Sequence, residues 1–158
     1  MSIKYIKQST VNRALRLHLR WLRNERHGKR LTVGLAISLK INWSKINLSS
    51  ADLRYANLRS ADLSYANLRW VSTINVKDLR VISCQLNTSD QNRNIAYYPD
   101  LNLITAGCFS GTLNELKGRV KKVHEKDDPS IYAKYQAVFT FIETVLEIEK
   151  RKNNHERK

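Results

Sequence analysis

Arginine recurs at Arg13, Arg16, Arg20 and Arg23, a 3-4-3 spacing that lines guanidinium groups along one face of a helix. A planar guanidinium presents paired N–H donors to carboxylate or phosphate, so these residues suit the recognition of an anion. The acidic residues are less informative. Asp127 and Asp128 precede Pro129 and Ser130, a pattern that marks a helix start. Asp100 follows Pro99 in a turn pair, and Glu143 and Glu147 stand four apart on a helix face, where solvation explains them better than chelation. His18, His27, His124 and His155 are scattered and make no zinc-ligand spacing. Cys84 and Cys108 read as free, buried thiols, with a disulfide between them left open. No Gly-rich phosphate loop or nucleophile motif occurs. The chain therefore reads as non-enzymatic, with no metal or cofactor.

Charge narrows the class of partner. The 158 residues carry a formal net charge of +14. Residues 1–30 hold nine Lys or Arg against Glu25 alone, a net +8, while residues 31–70 and 71–158 add +3 each. Charge this asymmetric points to an anionic partner or an acidic protein surface. No run of about 18 apolar residues exists and the first residues lack an apolar stretch, so neither a membrane span nor a secretory signal is expected. The expected location is the cytoplasm.

The arginine stripe needs a helix to carry it. Thr10 is a fair N-cap and Gly28 a fair stop, and between them Val11, Leu15, His18 and Leu22 share the opposite, apolar face. What that face covers follows next in the chain. Five pentapeptides run from Ile46 to Trp70: Ile46-Asn-Leu48-Ser-Ser, Ala51-Asp-Leu53-Arg-Tyr, Ala56-Asn-Leu58-Arg-Ser, Ala61-Asp-Leu63-Ser-Tyr and Ala66-Asn-Leu68-Arg-Trp. A period of five fits neither the 3.6 of a helix nor the 2 of a strand. The reading is a coil in which each pentapeptide makes one side. Leu48, Ala51, Leu53, Ala56, Leu58, Ala61, Leu63, Ala66 and Leu68 then point inward as its core. In the same frame the small-residue position stays apolar from Leu31 to Val81, but the Leu position reaches Asp78, which no dry core accepts unpaired. The coil is expected to end or slip there. Arg54, Arg59 and Arg69 fall at outward positions, with alanine replacements of Arg54 and Arg59 expected to be nearly neutral.

These repeats resemble the pentapeptide-repeat family closely. The resemblance implies a right-handed quadrilateral β-helix with four pentapeptides to a coil, here about two coils, and implies that Asp52 and Asp62 serve the coil's backbone. The segment Leu19-Arg-Trp21-Leu22-Arg-Asn-Glu25-Arg-His-Gly28-Lys-Arg30 resembles the helix and turn that precede the repeats in phage and prophage members. In those relatives Ala-Asn-Leu repeats begin at once, whereas here degenerate repeats from Leu31 to Lys45 intervene. The stretch Ile104-Thr-Ala-Gly107-Cys108-Phe-Ser-Gly-Thr112-Leu-Asn-Glu115 resembles the C-terminal module of the same proteins, and Gly107 and Cys108 are read as a strand end.

Past residue 78 the period of five is lost. Leu79–Cys84, Asn94–Tyr98 and Leu101–Gly107 read as strands. Thr112 and Glu115 form a capping box for a helix with Leu113, Leu116, Val120 and Val123 inward. A second helix from Asp127–Ser130 buries Tyr132, Tyr135, Phe139, Ile142 and Leu146. The expected organisation is mainly β: a basic helical cap over 1–30, the coil over 31–78, an α+β cap over 79–150 and a charged flexible tail over 151–158.

Function follows from surface rather than chemistry. The leading reading is a phage- or prophage-encoded interaction protein that offers Arg13, Arg16, Arg20, Arg23, Arg54, Arg59 and Arg69 to an acidic host protein or nucleoprotein complex, in host takeover or defence interference. Direct nucleic-acid binding by the arginine stripe is the alternative. Tyr55 and Tyr65, two repeats apart on a four-sided coil, face opposite ways, which counts against a stacking groove. Some pentapeptide-repeat proteins bind gyrase as acidic mimics of DNA; a short coil with basic outward positions does not suit that role.

Overall fold

The computed structural model describes residues 8–33, 41–58, 61–87 and 92–155. The chain divides into two compact units, Met1–Val81 and Ile82–Lys158.

In the first unit the repeats stack. Parallel bridges join Thr32 to Asp52, Asn42 to Asp62, Asn47 to Asn67, Asp52 to Ser72 and Asn57 to Lys77, each pair 20 residues apart. Twenty residues are four pentapeptides, so inward positions lie over inward positions in a β-helix-type coil. Each repeat bends through a turn closed by hydrogen bonds such as Ala56 N to Leu53 O at 3.0 Å and Ala66 N to Leu63 O at 3.0 Å. The fifth residue absorbs the bend: Lys45, Ser50, Tyr55, Tyr65, Trp70 and Asn75 all have φ between 56° and 60°, the positive φ that a type II turn demands of its third residue. The Asp or Asn before each Leu fixes the turn. The Oδ1 atoms of Asn42, Asn47, Asp52, Asp62 and Asn67 accept the backbone N–H two residues on, an Asx turn.

Leu48, Ala51, Leu53, Ala56, Leu58, Leu63, Ala66 and Leu68 are buried, joined by Leu31, Val33, Ile41, Trp43 and Val71. Ala61 is only half-buried: the position 20 residues on is Val81, beyond the last bridge at Lys77. The frame slips where the charge requires it. Asp78 is exposed with φ 60°, and Leu79 is buried where the strict period would place Val81. Ala36, Ser38, Lys40 and Arg59 lie outside the described residues.

Helix α1, Gln8–Leu22, packs on this coil. Thr10 lies inside the helix and not at its cap. Nor does Gly28 stop it. Asn24, at φ 55°, takes the left-handed position, with Glu25 N donating to Arg20 O and Asn24 N to Trp21 O, the two bonds of a Schellman motif. Gly28 instead permits a close approach, because a Cβ there would stand 2.4 Å from the Trp21 backbone nitrogen.

The second unit is a four-stranded antiparallel sheet in the order β1-β2-β3-β4, with β1 Ile82–Asn87, β2 Asn92–Tyr98, β3 Leu103–Ala106 and β4 Phe109–Gly111, followed by helices α2 Leu113–His124 and α3 Pro129–His155. The first strand starts later than the apolar run from Leu79 suggested. Gly107 and Cys108 form the two-residue loop of the β3–β4 hairpin and not a strand end. Gly107 has φ 57°, as the first position of a hairpin turn requires. Ile82, Ile95, Tyr97, Ile104, Leu116, Val120, Val138, Phe139 and Ile142 form the core. Thr112 and Glu115 cap α2 reciprocally, and Asp128 Oδ1 accepts from Ile131 N at 2.9 Å at the start of α3. Val123 is 45% exposed rather than inward, and Tyr132, Tyr135 and Leu146 are half-buried. Arg151 to His155, expected in a flexible tail, continue α3. Cys108 is exposed at the hairpin turn, contrary to the expectation of a buried thiol; Cys84 is half-buried, and the two form no disulfide. Burial pushes the Cys84 thiol pKa up.

Candidate partner-binding surface

The arginine helix is held in place by a histidine. His18 is fully buried, its Nδ1 accepts the Leu31 backbone N–H at 3.1 Å, and its ring stacks on Trp21 at 5.7 Å. Val11 and Leu15 are buried beside it on the same face. Because Nδ1 accepts, the neutral ring carries its proton on Nε2, which makes no hydrogen bond of ordinary geometry among the described residues. Burial lowers the imidazole pKa, and Arg30 nearby lowers it further against an opposing pull from the Ser49 backbone. The ring is thus held neutral.

Seating that face leaves Arg13, Arg16, Arg20 and Arg23 exposed on the other. They are not equivalent. Arg20 donates to Arg26 O at 2.7 Å, and Glu25 draws both Arg20 and Arg23 into surface ion pairs at 3.5 and 3.7 Å. Arg13 and Arg16 make no ion pair among the described residues. They are the less committed half of the stripe.

On the coil, Arg54 and Arg69 are partnered. Arg54 grips Asp52 through two bonds, Nε to Oδ1 at 2.9 Å and Nη2 to Oδ2 at 2.7 Å. Chiefly through that side-chain contact, the Asp52 pKa is lowered to about 2. Arg54 is exposed, as its outward position in the repeat implies, yet its guanidinium is engaged by Asp52. Arg69 donates from Nε to Asn67 Oδ1 at 3.1 Å and lies over the Trp70 ring at 5.4 Å. Sequence reasoning missed Arg30, whose Nε donates to Ser50 O at 2.6 Å. The signal was present in the numbering, since residues 30 and 50 are one coil apart. In the second unit a cavity of about 400 Å³ is bordered by Cys108, Arg119, Val123, His124 and Tyr135. His124 stacks on Tyr135 there at 6.0 Å. Among the described residues no cluster of three metal-ligating side chains occurs, and no helix is long and apolar enough to cross a membrane.

The stacked turns and inward Ala and Leu positions have a counterpart among known families: the model for pentapeptide repeats (8 copies) matches residues 42–72. This segment is made of pentapeptide repeats. The match covers the coil's centre and leaves α1 and the second unit outside it. No curated protein and no solved structure matches the chain significantly.

Proposed function

We propose that this protein is a non-catalytic interaction protein that uses a pentapeptide-repeat coil as a platform and presents a basic surface to an acidic protein or nucleoprotein complex. One observation carries the reading. The face of α1 holding His18 is anchored to the coil, which turns Arg13 and Arg16 to solvent with no ion-pair partner among the described residues. Helix and coil together form a rigid mount for a cationic edge, and rigid mounting favours complementary association over diffuse attraction. The proposed coil is right-handed and four-sided: the 20-residue bridge offset supports four sides, and the handedness rests on the family resemblance. A phage or prophage origin, a role in host takeover or defence interference and a site of action in the bacterial cytoplasm rest on the resemblance of the flanking segments alone.

The test is retention of partners from nuclease-treated bacterial lysate by the native chain and by the double variant Arg13→Glu/Arg16→Glu. A partner protein retained by the first and lost by the second supports the reading. Equal retention by both refutes it. A partner lost on nuclease treatment favours the alternative, direct nucleic-acid binding, whose affinity should fall with salt at a slope of about −0.7 to −0.9 per phosphate neutralised.

A further inference from the structure

We infer that the side of the coil built on Thr32, Asp52 and Ser72 is a docking surface for an acidic peptide segment that carries an aromatic or aliphatic anchor. The inference rests on the basic-surface reading above and assigns it a second contact site. Among the described residues this side alone has three bridged layers, Thr32 on Asp52 on Ser72. One border is the corner where Arg30 meets Ser50 and Ser50 N donates to Arg69 O at 2.9 Å, next to Trp70. The other border is the corner where Tyr55 N donates to Ile74 O at 3.0 Å. The two corners flank one side, so Trp70 and Tyr55 border a common surface, although Tyr55 and Tyr65 do not. Trp70, Tyr55 and Ile74 are 48%, 50% and 61% exposed.

Apolar exposure rimmed by polar groups marks an interaction site, and Trp, Tyr and Arg are the residues that dominate binding energy at interfaces. Arg30, Arg54 and Arg69 supply the charge, against Asp52 alone. Each guanidinium is already held, by Ser50 O, by Asp52 and by Asn67, so less side-chain freedom remains to be lost when a ligand binds. The excess of cations selects carboxylates, and the apolar corners select a side chain beside them. A nucleic acid suits the surface less well. Arg69 covers one face of the Trp70 ring, and the row between the corners is hydroxyl, carboxylate, hydroxyl. Successive bases find no continuous platform there.

The probes are poly-glutamate, a random copolymer of glutamate and tyrosine, and oligothymidylate, titrated against the intact chain. The copolymer should bind at least about fivefold more tightly than poly-glutamate, a difference of about 1 kcal/mol. Trp70→Asn/Ile74→Ser, in which Asn keeps the left-handed turn residue favourable, should abolish that preference, so that the copolymer binds no more tightly than poly-glutamate. Trp21 and Trp43 remain to report folding of the first unit. Arg13→Glu/Arg16→Glu should weaken both polymers and leave the ratio. Equal affinity for the two polymers overturns the inference, as does a preference that survives in Trp70→Asn/Ile74→Ser. The basic-surface reading stands in either case if the α1 variant still weakens binding. Tighter binding of oligothymidylate than of the copolymer, lost with Trp70, would overturn the inference in favour of a nucleic-acid surface. No binding of any polyanion refutes both readings.

Discussion

Lowering the pH should loosen the first unit through a single side chain, His18. Its Nδ1 accepts the Leu31 N–H, and protonation there would set two donors against each other inside a fully buried site. The sign follows from the direction of the shift. The folded pKa lies below the ordinary 6.5, so the stability His18 contributes is fully present above that value and is lost as pH falls toward the folded pKa. Within that window the loss runs at up to about 1.4 kcal/mol per pH unit. Losing the hydrogen bond and orphaning a buried N–H costs about 1–3 kcal/mol. A unit of this size has a total stability of roughly 4–12 kcal/mol, so the effect is large enough to measure. Each kcal/mol moves Tm by about 4–8 °C in a domain of this length. All three tryptophans, Trp21, Trp43 and Trp70, lie in the first unit, so their fluorescence reads its unfolding separately from the second. The control is His18→Asn, whose Oδ1 reaches where Nδ1 stood and does not titrate. It should be less stable at about pH 7.5 because a smaller side chain leaves a void, yet flatter down to about pH 5. The difference between the two proteins cancels the carboxylates of the unit. If the native chain proves as flat as His18→Asn across that range, the tautomer and the anchoring role assigned to His18 are wrong.

Leu58, 3% exposed, should not tolerate charge: Leu58→Asp removes about 1.5–3 kcal/mol of burial and adds an unpaired carboxylate, so tryptophan-detected unfolding of the first unit should lose its cooperativity. Arg54→Ala should lower the urea midpoint of the first unit only slightly near neutral pH, because the guanidinium is exposed and screened by solvent; Asp52 has its pKa lowered to about 2 from 3.8, so that contribution is present above 3.8 and fades as pH falls toward 2. Tyr65 is 86% exposed with φ 59°; Tyr65→Asn should raise the Tm of the first unit, by about 0.5–1 kcal/mol of relieved strain, and an unchanged or lower Tm would show that the ring makes a stabilising contact.

The coil was legible because one side-chain requirement repeats every five residues: a small residue and a Leu must turn inward, and the Asp or Asn between them must serve the turn. Asp78 broke that rule on sight, and the frame does slip there. The end of α1 was not legible from composition. Glycine is the usual left-handed terminator, but Asn24 adopts that conformation four residues earlier, and Gly28 is needed for its lack of a Cβ. The Gly107-Cys108 loop was misread because β4, Phe109–Gly111, is only three residues long, too short to show alternation. The ion pair of Arg54 with Asp52 escaped notice for a geometric reason. Residues two apart do not face each other on a helix, and on one strand they do so only side by side. Across the corner of a coil the fourth residue of a repeat bends back over the second.

That corner geometry bears on where function can reside. The inward positions are fixed by packing, and the residue before each Leu is fixed by the Asx turn. Only the two turn positions are free to vary, the second of them under the demand of a positive φ. Arg54 and Arg69 both occupy the first turn position, and both reach back to the Asp or Asn two residues earlier. An arginine there stabilises its own turn while displaying the remainder of its guanidinium. Counting such residues as uncommitted cations overstates the coil's attraction for polyanions and understates its specificity, because their directions are set. The less committed cations lie on α1, at Arg13 and Arg16. On the proposed basic-surface reading, long-range attraction falls to the helix, which should govern association rate and salt dependence. Discrimination falls, on that same reading, to the coil corners, where held arginines stand beside exposed Trp70, Tyr55 and Ile74, and changes there should act mainly on dissociation.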